Sequence, residues 1–391
     1  MSLPIHAGDF FALESSLSVP EQELVMNLRA YLETLRPDLD DLWEKAEFPR
    51  GLVKGLAEAR IIGLSWEETR PFENSAEFRG WISLELSRVD ASVATYVGVQ
   101  AGLAMGSIGL CGSDEQRAEW LPKMAAGDVV GAFGLTEPTS GSDAALGLQT
   151  TAQRRGDEWV INGAKRWIGN ATWSDICIIW ARDLDDNKVK GFIVPTNTPG
   201  YQATKIERKI SLRIVQNADI VLTDVVVPES LRLPGARSFS DTAAVLRATR
   251  AEVAWAAVGA SIGAYEAALA YANSRTQFGK PIAAHQLVQD LLVKCMGNIT
   301  SSLTLVREAS RKQDSGDDRD EFAALAKAVA TTRARETVAM AREVMGGNGI
   351  VLDYGAARFF ADMEALYSYE GTREINTLIV GRALTGQSAF V

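Results

Sequence analysis

The hydrophobic period changes twice along this chain, and that double change limits the possible folds more than any other feature. From about residue 20 to 130, segments such as EQELVMNLRAYLETL and DEQRAEWLPKMAAG repeat apolar residues every three or four positions, the spacing of an amphipathic helix. Ser113-Asp114 is a start signal for the second segment and Gly127 a stop. Between about 131 and 237 the texture shifts to short β-rich runs, EWVING, DICIIWA, KGFIVP and ADIVLTDVVVP, separated by turn-rich pieces such as DLDDNK and TNTPG. After about 238 the helical period returns and lasts to the end. Within 282–306, Ala284, Val288, Leu292, Cys295, Ile299, Leu303 and Val306 line one stripe. The expected fold is α+β and multidomain: an N-terminal all-helical domain at 1–130, a middle β-barrel or sandwich domain at 131–237, and a C-terminal four-helix bundle at 238–391. No long helices alternate with the strands, which disfavours a doubly wound parallel sheet.

Composition removes several functions. With 391 residues, 47% of them hydrophobic, the chain buries a large core. A net charge of −10 without a run of lysine and arginine excludes a surface that tracks phosphates, so nucleic acid is not an expected partner. The apolar run VAWAAVGASIGAY at 253–265 is shorter than the roughly 20 residues that a bilayer requires, and reads as a buried helix. MSLPIHAGDF lacks the basic and apolar regions of a secretion signal, and the terminal SAFV is not a Ser-Lys-Leu type address. The expected location is therefore cytoplasmic. Cys111, Cys177 and Cys295 are widely spaced and read as reduced core residues, while two histidines, His6 and His285, are too few for a clustered metal site or a histidine-dependent triad. The charged stretch QDSGDDRDE at 313–321 reads as a solvated inter-helix loop.

Several short motifs have ordinary explanations. GASIG at 259–263 matches the hydrolase elbow but falls inside a helical pattern. MGGNGI at 345–350 follows a helical run rather than a strand, and FGKP at 278–281 lacks the flanking residues of a phosphate loop. FGLTEPTSGSD at 133–143 differs from these. Thr136, Thr139, Ser140 and Ser142 supply hydroxyls, and Gly134 and Gly141 allow backbone N–H groups to approach a flat polar ring or a pyrophosphate, although a turn-rich linker has the same composition. KRWIGN at 165–170 sets Trp167 before a glycine, and a tryptophan there reads as core or as a platform. Arg275 and Gln286 flank TQFGKPI at a junction of two helices, a fair anion site.

Taken in order and at their spacing, FGLTEPTSGSD, KRWIGN, RTQFGKPI, MGGNGI and YEGTREINTLIVGRALTG resemble the acyl-CoA dehydrogenase and oxidase superfamily over nearly the whole chain. Within it they resemble the glutaryl-CoA dehydrogenase branch, and through RWIGN and SLRIVQNADI the plant-type short-chain acyl-CoA oxidases. The resemblance implies FAD lying between the β domain and the C-terminal helices. Phe133, Leu135, Thr136, Gly141 and Ser142 would surround the flavin and its phosphates, and Trp167, Ile168 and Gly169 would cover the ring. Arg275, Phe278, Gln286, Gly346 and Gly347 would reach the FAD of a neighbouring subunit, which implies a homotetramer.

The same resemblance assigns Glu370 as the base that removes the α-proton of an acyl-CoA thioester while hydride leaves the β-carbon. The Glu370 N–H would bond the thioester carbonyl, Gly371 would leave room for it, and Thr372 would bind FAD phosphate. Ser87, Ala94, Ser142, Arg250 and Tyr369 complete the implied substrate contacts. Glu252, out of register on the helix through TRAEVAWAAVG, is a rival base. Two positions depart from the family: Gly169 stands where dehydrogenases commonly have threonine or serine, which opens the question of O₂, and Ala94 and Ser87 replace the arginine and glutamate that grip a glutaryl carboxylate. The expected activity is oxidation of a short- to medium-chain acyl-CoA to the trans-2-enoyl-CoA with an electron-transferring flavoprotein as acceptor. The alternatives are an oxidase using O₂, a glutaryl-CoA dehydrogenase-like activity, and a silent acyl-CoA-binding scaffold on the same fold.

Overall fold

The computed structural model describes residues 7–390; His6 and Val391 lie outside them. The chain begins with helices α1 (Val19–Glu33), α2 (Arg36–Lys45), α3 (Gly51–Glu58), α4 (Ala76–Val89) and α5 (Ala91–Val97). A π-helical segment, Gly98–Ala104, joins α5 to α6 (Met105–Cys111), and α7 (Asp114–Ala125) follows. Ser113 caps α7 by accepting from the Gln116 N–H at 3.2 Å, and Gly127, at φ 67°, follows its end. The charge-free run 91–111, which the sequence reading passed over, is 21 residues long and would suit a membrane by length and hydropathy. It is packed inside the protein for 56% of its tested window, and the long helix that carries 253–265 for 78%.

The middle of the chain forms one seven-stranded sheet. Its members are β1 (Gly131–Gly134), then, after a short helix α8 (Ala144–Gly147), β2 (Thr151–Arg155), β3 (Glu158–Gly169), β4 (Ile176–Asp183), β5 (Val189–Pro195), β6 (Tyr201–Lys205) and β7 (Asn217–Pro228). The order is β1-β4-β2-β3-β7-β6, with β5 also on β4; β4 pairs parallel to β1 and β2, and every other pairing is antiparallel. The sequence pattern finds the four long strands but misses β1, β2 and β6, which are short and polar or glycine-rich. Strand period explains how the sheet joins the helices. Along β4, Ile176, Ile178 and Trp180 enter the large core shared with the helical parts, whereas Cys177, Ile179 and Ala181 enter a second core inside the sheet.

The C-terminal region contains α9 (Phe239–Ser274), the hairpin strands β8 (Thr276–Gln277) and β9 (Lys280–Pro281), α10 (Gln286–Asp314), α11 (Asp320–Val344), α12 (Ala356–Ser368) and α13 (Arg373–Thr385). Helices α9 to α12 pack as a bundle, α13 lies on α11, and α4 lies along α9. GASIG belongs to that last contact: a Cβ on Gly259 would overlap the Leu84 carbonyl, so the glycine serves a close helix crossing. On α10, Leu292, Cys295, Ile299, Leu303 and Val306 are buried as the stripe predicts, but Ala284 precedes the helix and is exposed.

The acidic stretch at 313–321 is not merely solvated. Asp314 accepts from the Ala76 N–H at 2.6 Å and the Glu77 N–H at 3.3 Å, which caps α4, and Asp320 pairs with Arg250. The three parts are stitched by Asp362 on α12, whose Oδ1 accepts from the Trp43 indole at 2.8 Å and the Leu212 N–H at 2.7 Å.

Candidate functional site

The segment between α12 and α13 is held in an unusual shape. Tyr369 ends the helix extended, Glu370 takes φ 55° and Gly371 takes φ 83°, so two successive residues are left-handed. A left-handed glutamate costs about 1–2 kcal/mol. Lys327 on α11 supplies the compensation: its ammonium donates to the carbonyls of both Tyr369 and Gly371. Asn376 donates to the Gly371 carbonyl at 2.8 Å, and Thr372 caps α13 by accepting from the Ile375 N–H at 3.3 Å. The Glu370 N–H has no partner among the described residues.

The Glu370 carboxylate accepts from the Thr249 hydroxyl of α9 at 3.0 Å. Burial pushes its pKa above the usual carboxylate range, against the opposing pull of the Thr249 hydroxyl and of Lys327 and Arg250. Burial also lowers the Lys327 pKa to about 7, with Glu370 pulling the other way. Arg250 is buried and paired with Asp320 rather than free. Helix α9 presents Thr249 to Glu370; Glu252 follows one turn later, and burial first, then the Glu370 charge, raises its pKa.

Opposite α9 runs the stripe of α5 and the π-helical segment, where Ala94, Thr95, Gly98, Val99, Ala101 and Gly102 are all half-buried. Thr95 Oγ1 lies 3.5 Å from the Tyr369 hydroxyl. A Cβ on Gly102 would stand 2.8 Å from Thr249 Cγ2, and one on Gly169 would stand 3.4 Å from Val99 Cγ2. The 98–104 segment thus lies between Glu370, through Thr249, and Gly169 of the sheet. Ala94 lies on this stripe, whereas Ser87 on α4 is fully enclosed.

The second wall is built by a buried pair that the sequence reading missed. Lys165, wholly buried, donates to Glu137 at 2.8 Å and to the carbonyls of Leu135 and Trp180, and Glu137 accepts from the Gln149 and Thr150 N–H groups at 2.7 and 2.9 Å. The Arg166 N–H bonds the Thr136 carbonyl at 2.8 Å. These bonds lock the 135–141 loop to β3. The β3–β7 register breaks between Lys165 and Ile168, and the bulge turns Trp167 outward at φ 67° with 52% of its surface exposed. Trp167 is thus no core tryptophan. Phe133, Leu135 and Ile168 are buried, while Gly141 and Ser142 are exposed and Thr136 is partly exposed. Gly134 is a packing glycine, since a Cβ there would meet Ile179 at 2.7 Å.

Arg275, Phe278, Gln286, Gly346 and Gly347 form a separate exposed group. The 346–350 turn is tied to α9 by the Asn348–Tyr271 bond at 3.0 Å, and Phe278 is 95% exposed at φ 53°. No direct contact joins this group to Glu370 among the described residues.

The Lys327 signal was present but quiet. It is the one charge on the stripe Ala324, Lys327, Thr331, Ala334, Val338, which α11 buries.

Three family models match in succession: acyl-CoA dehydrogenase N-terminal domain at 20–128, middle domain at 132–225 and C-terminal domain at 239–385. An acyl-CoA dehydrogenase of Bacillus subtilis (strain 168) is 32% identical over 93% of this chain and 98% of its own length. The crystal structure of a glutaryl-CoA dehydrogenase from Mycobacterium smegmatis has a TM-score of 0.94 at 38% identity, covering 99% of this chain and 100% of its own. Another, of a glutaryl-CoA dehydrogenase of the same organism in complex with FADH2, reaches 0.95 at 35% identity with the same coverage. This chain belongs to the acyl-CoA dehydrogenase family.

Proposed function

We propose that the protein is an FAD-dependent acyl-CoA dehydrogenase that oxidises a short- to medium-chain acyl-CoA to the trans-2-enoyl-CoA, with Glu370 as the base. The observation that carries this reading is the left-handed Glu370, clamped by Lys327, with an N–H that has no partner among the described residues, and bonded to Thr249 beside the segment whose Val99 packs on Gly169. The donor set on the opposite wall fits a flavin: an outward-turned Trp167, Thr136, exposed Gly141 and Ser142, and a backbone loop fixed by the Lys165–Glu137 pair. FAD held there supplies the hydride acceptor.

Glu370 removes the α-proton, and its raised pKa makes it a stronger base than a free carboxylate while burial keeps water from competing. Its N–H donates to the thioester carbonyl as enolate charge develops. Gly371 leaves space beside the thioester, Tyr369 walls the acyl chain with Thr95, and the chain runs along Ala94 and Gly98. Thr372, as a helix cap with α13 behind it, faces phosphate. Arg250 acts through its pair with Asp320, shaping the cleft beside Glu370. The exposed Phe278, with Arg275, Gln286, Gly346 and Gly347, suits a neighbouring copy completing the cofactor site in a cytoplasmic homotetramer.

The acceptor in this reading is a carrier flavoprotein. One observation favours O₂ instead: the position of Gly169 has no hydroxyl and has room for one. The decisive experiment on the base is Glu370→Gln, which keeps size and hydrogen bonding. FAD stays bound, and anaerobic flavin reduction by butyryl- or hexanoyl-CoA falls by about 10²–10⁴. Near-normal reduction in that variant overturns the assignment.

A further inference from the structure

Glu252 is the polar group in the cleft that the reaction above does not use. It is half-buried on α9, three residues beyond Thr249, and so one turn, about 4.5 Å, farther along the same wall. Across the cleft stands Gly102, where a Cβ would lie 3.4 Å from Glu252 Oε2 as well as 2.8 Å from Thr249. Thr249, Glu252, Gly102 and Glu370 are therefore one cluster. Four residues before Gly102 on the same segment, a Cβ on Gly98 would meet nothing within 4 Å. The Glu252 carboxyl makes no hydrogen bond with the described residues; its charged neighbours are Arg79 and Glu370, and the Arg79 guanidinium is directed to Asn74 at 2.8 Å.

A carboxyl in this position is poorly suited to a plain alkyl chain. Chain binding strips its water and leaves it unpaired, whereas a chain carrying a donor replaces that water. Resting on the acyl-CoA reading above, we propose that Glu252 is a specificity-determining residue that selects acyl thioesters with a hydrogen-bond donor, hydroxyl or amine, on roughly the fourth to sixth carbon. Both protonation states of the carboxyl accept such a bond, and the ionised one also attracts an ammonium and repels a terminal carboxylate. Burial pushes its pKa to about 7, so both states are populated at neutral pH.

The test compares kcat/KM for hexanoyl-, 5-hydroxyhexanoyl- and 6-aminohexanoyl-CoA in the wild-type holoenzyme, Glu252→Gln and Glu252→Leu. Wild type favours at least one donor-bearing thioester over hexanoyl-CoA by about tenfold or more. Glu252→Leu reverses the order, and Glu252→Gln keeps a hydroxyl preference while losing an amine preference. Dissociation constants of the same three thioesters on Glu370→Gln and on Glu370→Gln/Glu252→Leu read selection without turnover. A wild-type preference for hexanoyl-CoA, or ratios that Glu252→Leu leaves within threefold in binding, overturns the proposal. Binding selection that persists when Glu370→Gln still turns over counts against the base and not against Glu252.

Discussion

Replacing Lys327 by methionine removes the clamp on Glu370 with little change in volume. Lys327 is 1% exposed and donates to two carbonyls. Gly371 keeps its bond from Asn376 at 2.8 Å, so the Tyr369 carbonyl bears the loss, about 1–3 kcal/mol for a buried acceptor left unpaired. Removal of an ammonium whose pKa is already depressed to about 7 offsets part of this. The expected net loss is therefore at the low end of that range, about 1 kcal/mol of stability. The larger effect is on proton affinity. Without the cation, the buried Glu370 carboxylate rises further in pKa, and each unit, about 1.4 kcal/mol, leaves tenfold less of the ionised base on the acid side. The assay is anaerobic flavin reduction by hexanoyl-CoA over about pH 6–10: the acid limb moves to higher pH, and the rate recovers on the alkaline side.

Stability gives a second reading with a defined sign. The Lys327 pKa is about 7 folded against 10.5 unfolded, so between those values the unfolded chain binds more protons and this lysine makes stability rise with pH. Lys327→Met loses that rise relative to wild type. If the acid limb stays in place at wild-type amplitude, Lys327 neither positions nor charges Glu370, and the reasoning is refuted.

Gly169→Ser fits, because the new Cβ stands at ordinary contact distance from Val99 and Val215, 3.4 and 3.7 Å; reoxidation of the reduced enzyme in air slows, with substrate-driven reduction as control. A wild-type reduced flavin already inert to O₂ would end the oxidase reading. Glutaryl-CoA reacts with a kcat/KM about 10²–10³ below hexanoyl-CoA, because Ala94 offers no cation and an unpaired buried charge costs about 3–5 kcal/mol; parity within tenfold contradicts this. Gly259→Ala, far from the cleft, drives a methyl into the Leu84 carbonyl and lowers stability by about 1–3 kcal/mol with kcat nearly unchanged in the folded fraction, as thermal melts and turnover would read.

The local patterns were legible because each is written in contiguous residues. The switch of period marks where helices give way to strands, and the unbroken apolar run in DICIIWA agrees with a strand buried on both faces. The start of α7 is signalled by Ser113-Asp114, and reciprocal bonds between Ser113 and Gln116 cap the helix there. FGLTEPTSGSD was legible as a polar loop and KRWIGN as part of the β domain, but Trp167 by itself read as core before platform. Its exposure is set by the bulge in β3, which depends on how that strand registers with β7, where Ile168 meets Ala218 fifty positions on, a pairing that no local window contains.

What tertiary structure alone decided are the meetings of residues distant in the chain. Lys327 resembles any lysine on an alanine-rich helix until α11 packs under the turn at Tyr369 and Gly371. Thr249 and Glu370 are separated by 121 positions, and Asp314 and Ala76 by 238. Asp314 reads as solvated because charge favours water, but the start of α4 has backbone N–H groups to satisfy, and folding brings the carboxylate to them. Glu252 reads as out of register for a base, yet the helical turn after Thr249 sets it beside Gly102. Sequence by itself determines the elements, because backbone preference and hydrophobic period act over a few residues. The proton affinities of Glu370, Lys327 and Glu252 exist only in the folded chain, because burial and neighbouring charge set them, and both are properties of packing.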